Sequence, residues 1–252
     1  MQQALDFLVL YAACYAGMLA LYFGQGWVML WLNARHPERR IQPERDGSSR
    51  ARVEIIQSVK SLLVTSFCLA GGIFVQLQGW TLFPAFKLSI WSFAAMFMVS
   101  IVLFDAWFYW FHRLMHTRLF YRHHLWHHRS VAPTVWSNYS DSLADAFVMQ
   151  SYYLIAPMVL PLHPVVLIAH RLYDHINGQI GHSGFEYFSG PAARFPSPFV
   201  CTTFHDQHHE KFQGNYANFF SVWDRICGTL DPDYETKSKR LERANSTPPE
   251  PT

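Results

Sequence analysis

The sequence predicts an all-α integral membrane protein, in which transmembrane helical hairpins lie beneath a cytoplasmic cap of histidine-rich helices. Three observations carry this prediction. Half of the 252 residues are apolar and only 15% are charged, whereas soluble domains carry about 25% charged residues. Long runs without any charged residue recur along the chain, and eight of the 14 histidines lie in three short motifs.

The first predicted span runs from Phe7 to Leu32, which contains no charged residue. At about 1.5 Å per residue, this run can cross a hydrocarbon core of about 30 Å. A cleaved signal peptide is the alternative, but the run is too long and no basic segment precedes it. The following loop, residues 34–54, contains six arginines and is therefore expected in the cytoplasm. We assign residues 1–54 to an N-terminal transmembrane helix with a basic cytoplasmic loop.

Two further uncharged runs predict the first hairpin. Residues 61–86 would return the chain outward, and residues 88–104 would bring it back through an aromatic stretch that ends at His112. Trp80 and Pro84 near the end of the first run, and Lys87 between the two runs, mark the outer turn. This topology places the first histidine motif at the cytoplasmic face.

A second hairpin is predicted from residues 146–180. The uncharged run 146–169 is interrupted by three prolines, so one straight helix is not expected. The chain would rise through 146–160, turn at 161–164 and descend through 165–180. Polar residues of the descending arm should line a protein interior rather than face lipid: Arg171, Asp174, His175 and Asn177. Residues 55–233 are then one catalytic domain, and the charged or Pro-rich residues 234–252 a disordered tail.

Three motifs concentrate the histidines. They are His112-x-x-x-His116, His124-x-x-His127-His128 and His205-x-x-His208-His209. On a helix, residues three and four apart share one face, so each motif directs two or three imidazoles to one place. Imidazole binds iron, zinc, copper and nickel. Eight histidines are too many for one tetrahedral zinc but suit two metal ions that keep open positions.

Several residues outside the motifs are candidates for further parts of the site. His182 follows the descending arm of the second hairpin and is predicted to be a ninth ligand. His175, two turns earlier on the same face, is a candidate ligand or supporting residue, and His170 is left open. Asp105, seven residues before the first motif, and Asp206, within the third, are expected to hold ligand rings, because carboxylates commonly accept the second N–H of ligating histidines.

Sequence around the motifs carries a family resemblance. The relevant stretches are Asp105-x-x-x-Tyr109-Trp110-x-His112-Arg113-x-x-His116, His124-x-x-His127-His128, Phe204-His205-Asp206-x-His208-His209-Glu210-Lys211-Phe212, Asn218-Phe219 and Trp223-Asp224-Arg225-x-x-Gly228-Thr229. Over about residues 60–230 the chain resembles the fatty acid hydroxylase and sterol desaturase superfamily. Many members have an Arg-x-His-Pro-x-Glu stretch after the second motif, where this chain reads Ser140-Asp-Ser-Leu-Ala-Asp145.

The resemblance implies membrane hairpins under a cytoplasmic cap and a non-haem di-iron centre that activates O2. The eight motif histidines would ligate the two iron ions, and His182, at the family's His-Ser-Gly position, would join them. Electrons would come from a separate cytochrome b5-, ferredoxin- or rubredoxin-like protein, since the chain has no G-x-G-x-x-G fingerprint and no fused electron carrier.

The sequence therefore predicts a membrane monooxygenase that hydroxylates a lipid, whether acyl, sterol or isoprenoid. A lipid desaturase using the same site is one alternative. A histidine-rich metal transporter is another, but it would distribute polar residues through its spans. A haem-binding membrane cytochrome is disfavoured by the tight histidine doublets. No nucleic-acid partner is expected, and the absence of an endoplasmic-reticulum retention signal favours a bacterial cytoplasmic membrane.

Overall fold

A computed structural model describes residues 1–246, with side chains through residue 244. These residues form no strand longer than an isolated bridge, so the predicted all-α class is confirmed. Their α-helices are α1 Gln2–Arg35, α2 Ala51–Leu77, α3 Ile90–Met115, α4 Tyr121–His128, α5 Leu143–Gln150, α6 Tyr152–Val159, α7 Pro164–Gly181, α8 Thr202–Lys211, α9 Val222–Ile226 and α10 Tyr234–Ser246.

Three of these helices, α1, α2 and α3, are long and apolar enough to cross a membrane, as predicted. Helix α1 contains the whole predicted first span. Helix α3 begins after Ser89, whose hydroxyl accepts a hydrogen bond from the Ser92 backbone N–H at 3.1 Å, while the Ser92 hydroxyl accepts from the Ser89 N–H at 2.9 Å. This reciprocal capping satisfies two N–H groups that the first helical turn leaves without partners.

The boundaries predicted for the second span are wrong by about ten residues at each end. Helix α2 begins at Ala51, inside the segment predicted to be a polar loop, because the carboxylate of its first turn, Glu54, packs inside the protein while Arg52 stays exposed. Glu54 is fully buried and accepts hydrogen bonds from the hydroxyls of Ser130 and Thr134. The helix ends at Leu77, since Gly79 adopts a left-handed conformation with φ of 70°, which stops a helix.

The second hairpin is formed by α5 and α6, which meet at Ser151, and by α7, which begins at Pro164. The turn between the arms lies where the prolines predicted it. On α7, the side chains of Arg171, Asp174 and His175 are buried in the protein, as expected. The main apolar core lies between this hairpin and the helices α2 and α3.

Helices α2 and α6 approach each other closely at Gly72. A Cβ atom at this position would lie 2.0 Å from the backbone oxygen of Tyr153 and 2.9 Å from the ring of Pro157. Because no side chain fits in that space, the glycine permits the contact that ties the second hairpin to the long helices.

The remaining helices, α4, α8, α9 and α10, form a cap at the end of α3. The predicted disordered tail is wrong for residues 234–246, which form α10. Tyr234 is buried and donates its hydroxyl hydrogen to the Ala193 backbone oxygen at 2.7 Å, and Glu235 forms an ion pair with Arg225 at 2.6 Å. These contacts give the charged segment a surface to fold against. Residues 247–252 of the predicted tail lie outside the described residues.

Candidate metal centre

Nine histidines converge where α3 ends. His112 lies in the last turn of α3 and His116 caps it. Helix α4 contributes three histidines and α8 another three, while His182 is the residue that follows α7. The structure thus brings together every residue predicted to be a ligand: His112, His116, His124, His127, His128, His182, His205, His208 and His209.

The nine rings divide into two groups, in each of which the potential ligand atoms all lie within 4.8 Å of one another. The five-histidine group contains His112, His116, His124, His128 and His208. The four-histidine group contains His127, His182, His205 and His209. Helices α4 and α8 each contribute to both groups, because adjacent residues on a helix point about 100° apart. The two groups are therefore neighbours, and the ring centroids of His128 and His209 are 5.0 Å apart.

The spacing of the nitrogens within each group fits a shared cation. Neighbouring Nε2 atoms are 3.0–3.1 Å apart in the five-histidine group and 2.9–3.1 Å apart in the four-histidine group. Two nitrogens about 2.1 Å from one ion are about 3.0 Å apart when they bind at right angles and about 3.4 Å apart in a tetrahedron. The observed distances match right-angle coordination better than tetrahedral zinc.

The second nitrogen of four rings is held by an acceptor. Backbone oxygens serve three of them: Tyr216 for His112 at 2.8 Å, Gly178 for His182 at 2.7 Å and Gly214 for His208 at 2.6 Å. The Asp145 carboxylate serves His124 at 2.7 Å. A second carboxylate, Asp141, lies 2.8 Å from Nδ1 of His127 without hydrogen-bond geometry. A carbonyl oxygen can only accept, so Nδ1 carries the proton and Nε2 of the neutral ring is a bare lone pair. Lone pairs that converge at about 3 Å without protons between them are stabilised by a cation.

Burial keeps these rings neutral. Loss of hydration holds the pKa of His124, His205, His208 and His209 well below the ordinary histidine value, and neighbouring rings lower it further. The same two causes lower the pKa of His182 to about 3. Neutral imidazole is the form that binds a metal ion, so the site is ready to bind cations at neutral pH.

A cavity of about 340 Å³ opens onto the two groups. Five of the nine histidines line it: His112, His124, His127, His182 and His205. Apolar and aromatic side chains form much of the remaining wall, among them Phe108, Met149, Tyr173 and Phe199, together with the polar pair Arg171 and Asp174. The cavity therefore offers an apolar molecule direct access to both groups.

Comparison with protein families shows which family the chain belongs to. The family model described as fatty acid hydroxylase matches residues 97–229, which is more than half of the chain and includes all nine histidines. The chain belongs to the fatty acid hydroxylase family.

Three curated relatives of the chain have the names of sterol enzymes. A Delta(7)-sterol 5(6)-desaturase of Gibberella zeae is 26% identical over 196 residues, covering 76% of this chain and 54% of the relative. Lathosterol oxidase of Rattus norvegicus is 35% identical over 48% of this chain and 40% of its own length. Methylsterol monooxygenase 1 of Gallus gallus is 36% identical over 53% of this chain and 46% of its own length.

The chain thus spans about half, or less, of the length of the relatives named above. These relatives come from eukaryotes, and they do not favour the bacterial membrane predicted from the sequence. No solved structure matches the chain.

The carboxylates that contact ligand rings in this family member are Asp141 and Asp145, which the sequence did not single out. They lie in the stretch that departs from the family pattern, and each serves one histidine group. One signal was present: Ser142-x-x-Asp145 has the form of a helix N-terminus, and the Ser142 hydroxyl accepts from the Asp145 backbone N–H at 3.2 Å. This cap starts α5 and places Asp145 beside α4.

The three residues predicted to support the ligand rings have other partners. Asp105 accepts hydrogen bonds from the backbone N–H groups of residues 218–220, at 2.6–3.3 Å. His175 contacts the Tyr139 hydroxyl at 2.9 Å, and Asp206 accepts from the Gln42 amide at 3.0 Å. These placements correct the prediction, since none of these hydrogen bonds reaches one of the nine histidines.

The sequence left open whether His170 binds metal, and the structure places it in the protein core. Its Nδ1 is 2.7 Å from the Ser100 hydroxyl, and it belongs to neither group. Asp224, by contrast, acts on the site indirectly: it accepts from the Tyr216 backbone N–H at 2.9 Å and so fixes the residue whose carbonyl holds His112.

Proposed function

We propose that the chain is a membrane non-haem di-iron monooxygenase that hydroxylates a lipid. The reaction consumes one O2, two electrons and two protons, and it yields the hydroxylated lipid and one water. The observation that carries the proposal is the pair of adjacent histidine groups with converging Nε2 lone pairs. Iron bound there would supply the redox chemistry needed to break an unactivated C–H bond, which zinc lacks.

The residues around the site have defined tasks in this proposal. The five- and four-histidine groups would each hold one iron ion, and the acceptors at Nδ1 would fix the orientation of the rings. Phe108, Phe199 and their apolar neighbours line the cavity on the substrate side. They would hold the alkyl part of the substrate beside the metals and exclude water from the reacting carbon.

The substrate is proposed to be a lipid for two reasons. The surface of the cavity is more apolar than polar, and the site lies at the end of α3, one of the helices able to span a membrane. The named relatives are sterol enzymes, so a sterol-like lipid is the first substrate to try; acyl and isoprenoid lipids come next. We further propose that the histidine cap faces the cytoplasm, where the basic segment 36–50 between α1 and α2 would also lie.

Desaturation of a lipid is the second candidate, since one relative is named a desaturase. That reaction consumes the same O2, electrons and protons but yields a carbon–carbon double bond and two waters. Mass spectrometry separates the outcomes, because hydroxylation adds one oxygen atom and desaturation removes two hydrogens.

A metal transporter is the candidate from a different class, and the geometry favours it less. A permeation path needs polar groups spread along the spans, whereas the nine histidines are gathered in two groups at one end of α3. Transport of iron or zinc into vesicles without any oxidation of lipid would support this alternative over the oxygenase.

The proposal is tested with purified wild type and His208→Ala in detergent. Each is assayed for iron content and for oxidised lipid, with O2, an electron donor and a lipid extract supplied. We expect about two irons per wild-type chain, with loss of iron and product in the variant. His36→Ala is the matched control, because His36 belongs to neither histidine group and its half-exposed side chain contacts Glu38 and Tyr187 instead. Wild-type iron content and product in His208→Ala would refute the catalytic proposal.

A further inference from the structure

A second opening reaches the histidines, and it shares no lining residue with the cavity. It is a surface groove of about 950 Å³, lined by His116, Tyr121, Tyr216 and residues 211–214 and 228–232. His116 is the one member of the nine that lines this groove, and it does not line the cavity. It is also the least buried ring of the five-histidine group.

This groove fits the passage of electrons better than the passage of substrate. A lipid in the cavity would fill the approach to His127, His182 and His205, so a donor protein needs another route. At the groove, the imidazole of His116 is the one ring of the nine that reaches the lining, and its Nε2 lies 3.0–3.1 Å from those of His128 and His208. The ring packs against Tyr121 and Tyr216, with centroids 5.6 and 5.1 Å away, so a docked cofactor would face a continuous layer of aromatic side chains.

The charges beside the groove favour a partner of the opposite sign. From His112 through Arg129 the chain has four arginines and no aspartate or glutamate. Arg118 and Arg122 are exposed and lie within two positions of the lining residues His116 and Tyr121. Neither has a carboxylate partner among residues 1–244.

The negative charges near the groove are partly neutralised. The Lys211 ammonium lies 2.8 Å from Asp231 and 3.2 Å from Asp233, and it forms ion pairs with both. One positive and two negative charges leave this trio with a net charge of −1. The two unpaired guanidinium groups of Arg118 and Arg122 exceed it, so the charge beside the groove is positive on balance.

From this geometry we propose that the His116 groove is the docking surface for a small acidic one-electron carrier protein. The inference rests on the proposed function, in which each turnover takes two electrons. A one-electron carrier must therefore dock, transfer its electron and leave twice per product. Attraction between opposite charges speeds such encounters, and salt weakens it. A transient interaction of this kind suits a site that must release its partner.

The test uses the full-length, iron-loaded protein in detergent, with an acidic plant-type ferredoxin and its NADPH-dependent reductase as the probe. Wild type is compared with Arg118→Glu/Arg122→Glu, with the corresponding double glutamine variant, and with Arg52→Glu. Arg52 is an exposed arginine outside the groove and serves as the control for charge alone. The measured quantity is the KM for ferredoxin in lipid oxidation.

We expect the KM for ferredoxin to rise about tenfold in the glutamate pair, with kcat little changed. The glutamine pair should fall in between, and Arg52→Glu should match wild type. Added salt should raise the wild-type KM but not that of the glutamate pair. In a single turnover, started with O2 after chemical reduction, all variants should give the wild-type yield of product because no carrier is needed.

Three results with the variants would overturn the docking surface. They are an unchanged KM in the glutamate pair, a loss of single-turnover product parallel to the change in KM, and altered binding to anionic vesicles with an unchanged KM. Single-turnover product from wild type without any ferredoxin-driven product would also overturn it. Failure of wild type to oxidise any lipid, even after chemical reduction, would instead refute the proposed function and the docking surface with it.

Discussion

Asp145 and Asp141 offer the sharpest test of the two-group centre. Asp145 accepts the Nδ1 hydrogen of His124 in the five-histidine group, and the Asp141 carboxylate lies 2.8 Å from Nδ1 of His127 in the four-histidine group. Replacing either with asparagine keeps the shape of the side chain and one acceptor oxygen but removes the charge. Each ring then loses a nearby negative charge that raises its basicity, and His124 also loses a charge-assisted hydrogen bond.

The expected magnitude follows from these contacts. The His124 and Asp145 side chains are 4% and 1% exposed and 2.7 Å apart, so water cannot replace the lost charge. Loss of such a partner weakens metal binding by about 10–100-fold, or about 1.4–2.8 kcal/mol. Asp141 is 16% exposed, and its loss should fall nearer the lower end of that range.

The assay is anaerobic titration of the metal-free protein with Fe²⁺ or with Co²⁺ as an absorbing substitute. Asp145→Asn should weaken one of two binding steps, and Asp141→Asn should weaken the other. Asp206→Asn is the matched control, because this buried carboxylate on α8 contacts Gln42 rather than a ligand ring. Both variants weakening the same step, or neither weakening any, would refute the division into two sites.

Three further predictions can be checked on the same protein. His182→Ala should reduce bound iron from about two ions per chain to about one, whereas His175→Ala should retain both; equal iron in the two variants would contradict the assignment. Gly72→Ala should lower the free energy of unfolding by about 1–3 kcal/mol through overpacking, since its Cβ meets a backbone oxygen at 2.0 Å, while Gly17→Ala, with open space around it, should not; thermal unfolding in detergent measures both. Burial lowers the pKa of His116 to about 4, and the unfolded chain binds protons below about 6.5. The metal-free protein should therefore lose stability as the pH falls from about 6.5 towards 4, and a flat profile would contradict this.

Local rules sufficed to predict the nine histidines but not their division. Spacings of three and four residues put each motif on one helical face, and the structure brings all three motifs together with His182. Which ring joins which group depends on how α4 and α8 face each other in space. Helical periodicity keeps His124 with His128 and separates the adjacent His127 from them. It does not indicate which rings of α8 each of them meets.

The errors arose where a polar residue finds a partner far along the chain. Asp105 does lie one heptad before His112, but the backbone of residues 218–220 occupies its carboxylate. Glu54 suggested a solvated loop, yet hydroxyls some 76 and 80 residues later bury it within α2. Asp145 contacts His124 across 21 residues of loop and turn. Side-chain type and spacing do not encode such contacts, which depend on the packing of the whole cap.

The unequal ligand numbers agree with the two openings. Five histidines would hold one ion and four the other, so an ion in the four-histidine group would have more room for a ligand from outside the protein. The four-histidine group contributes His127, His182 and His205 to the cavity wall, where substrate would lie. The five-histidine group, closer to saturation, presents His116 to the groove. Because α4 and α8 contribute to both groups, an electron received on one side would have a short path to the other, while lipid and carrier protein would approach from separate faces.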